Sequence, residues 1–149
     1  MSSVHKSERS EAKTLFVAQA YKVKEITMTK TKHFPRHLWP SVVANMILNT
    51  TNAKKYCMNA DKIDICKTNN LEAAYRHKMK LLESAREIYQ NLDEEIDDYV
   101  GLGKMGYDYM YEWHVEIQKE ISLLNKLLQS EYKKFKKISF KNNFIGSVL

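Results

Sequence analysis

Apolar residues recur along this chain at steps of three and four over four long stretches, separated by short polar or breaker-rich segments. In residues 7–32, Ala12, Leu15, Phe16, Val23 and Ile26 share one face at 100° per residue, which predicts an amphipathic helix. Ser7, Glu8 and Glu11 suit its first turn, where backbone N–H groups lack partners and the helix dipole is positive. Pro35 ends it, since proline and the residue before it resist helical continuation. Residues 36–62 form the second helix, with Trp39, Val42, Val43, Met46, Ile47, Ala53, Cys57 and Ala60 inward and Pro40 in the first turns. The polar stretch 64–70 is a loop in which Asn69 reads as an N-cap with Glu72 as its partner three residues on.

Residues 70–100 show the most regular spacing. Leu71, Tyr75, Lys78, Leu82, Ala85, Tyr89, Leu92, Ile96 and Tyr99 alternate steps of four and three, the seam of a helical bundle. Gly101, Gly103 and Gly106 interrupt it. The fourth helix, 107–133, places Met110, Trp113, Ile117, Ile121, Leu124, Leu128 and Tyr132 on one face, and residues 134–149 are expected as a lysine-rich tail. One all-α domain, 1–149, folded as an antiparallel up-down four-helix bundle, follows from this pattern. With 4 Gly and 2 Pro in 149 residues, the chain lacks the turns a sheet protein needs.

The first helix carries a second apolar strip, Val17, Tyr21 and Met28, nearly opposite Phe16. It reads either as scattered surface apolar residues or as a subunit interface in a homo-oligomer.

Charge adds polarity to this picture. The net charge is +6, yet Asp93, Glu94, Glu95, Asp97 and Asp98 crowd five acids into six positions, so the rest of the chain is strongly basic. Such a field favours acidic partners, nucleic acid ahead of lipid. Cys57 and Cys66 form no CxxC pair and read as free thiols of a cytoplasmic protein. No segment resembles a signal peptide, and none approaches the roughly 20 apolar residues that span a bilayer, so no membrane role is expected.

Enzymatic chemistry finds no support. Carboxylate-bridged metal sites in bundles need Glu-x-x-His, and none of the five His has Glu three residues before it, so no metal or other cofactor is expected. Gly101, Gly103 and Gly106 match the dinucleotide fingerprint as a string, but a strand must precede that turn, and here an acidic helical segment does. The glycines read instead as a helix C-cap and interhelix loop.

Basic residues lead further. Lys6, Arg9, Lys13 and Lys24 fall within about 60° on the first helix. Arg36 and His37 sit at the first corner beside Trp39, and Lys133, Lys134, Lys136 and Lys137 interleave with Phe135 and Phe140. Lysines among aromatics suit phosphate contact and base stacking, as in RNA or single-stranded DNA binding. A solvated face and a fraying tail are the alternative.

The segment Leu15 to Lys22, the Phe34-Pro35-Arg36 corner leading to Trp39, the run Tyr75-Arg76-His77-Lys78 and Trp113 together resemble the Avd-like four-helix-bundle family. That family holds the accessory variability determinants of diversity-generating retroelements and relatives of the ribosomal-RNA intervening-sequence proteins. The similarity spans about residues 7–135. It implies a homopentameric barrel of bundles that binds nucleic acid and docks on a reverse transcriptase to support mutagenic cDNA synthesis. Arg36 and Arg76 match its pattern and become binding candidates, whereas His37, Pro40 and the acidic run at 93–98 depart from it. Two functions remain open: a nucleic-acid-binding accessory subunit, and a structural or protein-binding oligomer.

Overall fold

The computed structural model describes the backbone of residues 2–103 and 105–148, and side chains at 12, 13, 15–103 and 105–143. Four long helices dominate: α1 (Ser2–Thr31), α2 (Ala44–Asp61), α3 (Leu71–Gly101) and α4 (Tyr107–Val148). Among the described residues there is no strand. The helices share one core, built from Phe16, Ala20 and Val23 of α1, Met46, Ala53 and Cys57 of α2, the Leu82 to Ile96 seam of α3, and Trp113, Ile117 and Leu124 of α4.

Breakers act where expected, with local differences. Pro35 is extended (φ −54°, ψ 141°), and Arg36–Leu38 then forms a 3-10 turn. Trp39–Val43 is a π-helical turn, closed by the Ala44 N–H donating to the Trp39 carbonyl. Pro40 lies inside it and has no N–H to donate, which favours the wider ladder. The extra residue rotates what precedes it relative to α2, so Trp39 leaves the expected core stripe. Its indole is 39% exposed and donates to the Phe34 carbonyl at 3.1 Å.

Asn70, not Asn69, caps α3: its Oδ1 accepts the Ala73 N–H at 3.2 Å. Glu72 therefore sits within the first turn and pairs with Arg76 at 2.6 Å instead of closing a capping box. At the far end of α3, Gly103 takes φ +70°, the left-handed conformation that terminates a helix and that glycine adopts without Cβ strain.

Two expectations about α4 and α1 are corrected. The segment after Lys133 continues as helix to Val148: residues 134–145 hold four lysines, which favour helix, and no breaker precedes Gly146. Phe135 also anchors it, stacking on Tyr75 with centroids 4.0 Å apart and planes at 8°. Leu15 and Tyr132, expected in the core, are each 47% exposed. Ala20, Thr27 and Thr31 take the inner face of α1 instead, all 0% exposed. Their small side chains let the wholly buried Trp113 approach, and its Nε1 donates to Thr27 Oγ1 at 3.0 Å. Both threonine hydroxyls are satisfied, donating at 2.7 Å to carbonyls four residues back.

Charged groups are also buried. Lys78 Nζ donates to the Ile63 carbonyl at 2.8 Å and meets Glu131 at 3.2 Å. Glu120 is 0% exposed, and neither carboxylate oxygen has a partner.

Candidate nucleic-acid interface

The continuation of α4 lengthens a row of lysines that begins inside the expected helix 107–133. At 100° per residue, Lys119, Lys126, Lys133, Lys137 and Lys141 fall within about 80° of one another. All five are exposed. They span about 33 Å of helix at 1.5 Å per residue. After position 120 the only acid of α4 is Glu131, 1% exposed and paired with Lys78 and Lys134. Nothing acidic on this face of α4 offsets the lower stripe.

Beside the upper stripe lies an open depression of about 740 Å³ along α4 and the flank of α1. Leu15, Ala18 and Leu123 supply apolar surface, while Lys22, Lys119 and Lys126 supply charge. Glu116, beneath it, accepts from Gln19 Nε2 at 2.8 Å and pairs with Lys119 and Lys22 at 3.1 and 3.4 Å. Burial opposes its charge, but the Gln19 and Lys119 hydrogen bonds and the two cations outweigh it and hold the carboxyl below its usual range. Lys22 and Lys119 are thus partly committed. Lys126, Lys133 and Lys137 have no carboxylate at ion-pair distance among the described residues.

The acidic run divides by burial. Asp93 packs inward, taking His114 Nδ1 and Gln118 Nε2 each at 2.7 Å, and so joins α3 to α4. Glu94, Asp97 and Asp98 face solvent. Glu95 is half-buried, and burial, then the neighbouring Asp98, raises its pKa.

The residues singled out from sequence do not form one patch. Lys13 and Lys134 meet at one end of the bundle, around a cavity of about 90 Å³ that also holds Asp61, Asp64 and Lys78. Arg36 and His37 lie beyond the opposite end of α2, whose 18 residues put about 27 Å of helix between that end and Asp61. Arg76 is exposed but paired with Glu72, and Lys136 lies over the Tyr132 ring at 4.9 Å. Lys24 is half-buried. The side chains of Lys6 and Arg9 lie outside the described residues. Lys133 and Lys137 belong to the α4 stripe; Lys119 and Lys126, absent from the sequence candidates, share its spacing already within 107–133, and Lys141 joins only because the helix continues.

The second strip of α1 is partly covered by its own chain. Val17 packs against the core, and the Tyr21 hydroxyl donates to Met58 Sδ at 3.5 Å while Lys54 sits over its ring. Met28 is 44% exposed.

Among the described residues, no three His, Cys, Asp or Glu side chains are grouped to hold a metal ion. Cys57 is buried and Cys66 exposed, both unpaired. No described helix is long and apolar enough to cross a membrane. No protein-family model matches the chain, and neither does any curated protein or solved structure.

Proposed function

We propose that this protein is a non-enzymatic nucleic-acid-binding accessory protein. The observation that carries the reading is the exposed lysine stripe on α4, five cations on one helical face, of which Lys126, Lys133 and Lys137 have no carboxylate at ion-pair distance among the described residues. Lysines spaced along a rigid helix can follow a phosphate backbone, and release of condensed counterions drives such binding. The likeness of the Phe34-Pro35-Arg36 corner and the Tyr75 to Lys78 run to the Avd-like family supports a reverse transcriptase as protein partner and cytoplasmic mutagenic cDNA synthesis as the setting. It also supports an antiparallel bundle assembling into a homopentamer. Pairings such as Lys78 with Glu131 and Asp93 with His114, early α3 to late α4 and late α3 to early α4, favour the antiparallel order.

Lys126→Glu, Lys133→Glu and Lys137→Glu together test the reading by titration of labelled RNA or DNA across salt concentrations. Wild-type affinity falls steeply with salt, and each contacting lysine removed lowers the slope of log K against log salt by roughly 0.7 to 0.9. The triple variant loses binding with unchanged helicity. Absence of any wild-type binding at low salt selects the structural or protein-binding oligomer, which the exposed Met28 and the solvent-facing acids Glu94, Asp97 and Asp98 favour.

A further inference from the structure

We propose that the cavity at the α1–α2 corner receives one unstacked base of a single-stranded nucleic acid. This rests on the nucleic-acid reading and narrows it to strands whose bases are free. The cavity measures about 340 Å³ and lies between the turn after α1 and the loop before α4. Its walls include the rings of Phe34, Tyr99 and Tyr109. Phe34 meets Tyr99 and Trp113 edge-on, with centroids at 6.0 and 6.4 Å. Tyr109 is fixed by its hydroxyl, which donates to the Lys30 carbonyl. The walls are therefore held in place before any ligand arrives, the condition for a preformed site.

Shape and chemistry choose the ligand class together. Aromatic walls offer stacking to a planar ring, and His33 and His37 bring two imidazoles to the same cavity. A neutral imidazole presents one donor and one acceptor nitrogen, matching the mixed donor and acceptor edge of a nucleobase. An aliphatic ligand would use neither feature. Among the described residues no carboxylate lines the cavity, and Arg36, exposed between the two histidines in sequence, supplies a phosphate contact. The exposed Asp97 and Asp98 precede Tyr99 on α3 and repel a phosphate chain there, so the backbone enters from the Arg36 side. A duplex keeps its bases stacked and leaves the cavity empty.

Gly106 makes the test direct. It lines the cavity, a Cβ built on it meets nothing within 4 Å, and its φ is not positive. A side chain added at 106 therefore meets no packed atom at its Cβ on the cavity lining, and circular dichroism checks that Gly106→Phe keeps its helicity. Binding of unstructured RNA, unstructured single-stranded DNA, duplexes of equal length and adenosine 5′-monophosphate is measured against wild type, with inorganic phosphate as the control. Wild type is expected to prefer single strands over duplex by roughly tenfold, the scale of one base stacked on aromatic rings, and to take the monophosphate but not phosphate alone. Gly106→Phe loses both properties and keeps duplex affinity, and His37→Ala, at an exposed residue, weakens single-strand binding in the same direction. Single-strand preference that survives Gly106→Phe overturns the cavity and leaves the lysine stripe standing. Monophosphate binding by a wild-type chain that binds no strand at low salt overturns the nucleic-acid reading and leaves the cavity standing.

Discussion

Glu120 sits in the middle of the bundle with both carboxylate oxygens unpartnered and no exposed surface. No cation offsets its burial, which pushes the carboxyl up to about 9 from 4.5. Cys57 and Tyr89 feel the same interior: burial raises both, and proximity to Glu120 adds to it. Glu120 is therefore protonated in the native state at neutral pH, while in the unfolded chain it is ionised above about 4.5. The native state holds one more proton on this group throughout that window, so the stability Glu120 contributes is greatest at the low end and declines as pH rises from about 4.5 to about 9. At up to about 1.4 kcal/mol per pH unit, the loss from pH 5 to pH 8 is about 4 kcal/mol. With a urea m-value near 2 kcal/mol/M, that moves the unfolding midpoint down by roughly 2 M. Glu120→Gln removes the titration and should flatten this decline. Glu120→Met removes the orphaned polar atoms as well and should stabilise the chain at every pH in the window. Urea melts of the three proteins at pH 5 and pH 8, followed by helical circular dichroism at one protein concentration, measure the difference. Contributions shared by all three cancel in the comparison. Parallel decline of wild type and Glu120→Gln would refute a protonated, dry Glu120.

Other perturbations have simpler signs. Thr27→Val leaves the buried Trp113 N–H without its acceptor and should cost about 1–3 kcal/mol in chemical denaturation, whereas Thr29→Val, at an exposed site on the same helix, should cost far less. Asn70→Ala removes the α3 cap and should cost about 1 kcal/mol, with Asn69→Ala nearly silent; the reverse ranking would restore Asn69 as the cap. Gly103→Ala places a Cβ at φ +70° and should destabilise, while Gly101→Ala, with φ not positive and open space around it, should not. Tyr21→Glu with Met28→Glu should give a folded but smaller particle in light scattering if α1 forms a subunit interface; a wild-type monomer at micromolar concentration rejects that interface.

Local sequence determined that four helices form and where proline and glycine break them. Steps of three and four put Leu82, Ala85, Tyr89, Leu92 and Ile96 on one side of any helix they occupy, whatever packs there, and all five are buried. Pro35 and Gly103 act through their own backbone limits, so the breaks they impose needed no tertiary information. Periodicity cannot choose among neighbouring apolar positions on a wide face. Neighbouring helices made that choice, pressing Ala20 and Thr27 inward where Trp113 needed close approach, and leaving Leu15 outside. Distance along the chain also concealed which charges cooperate. Arg36 and Lys134 looked like members of one basic set, but a helix of fixed rise per residue holds them at opposite ends. The burial of Glu120 was hidden for the same reason: whether a carboxyl meets water depends on what surrounds it, and Cys57 of α2 and Tyr89 of α3 are among those surroundings.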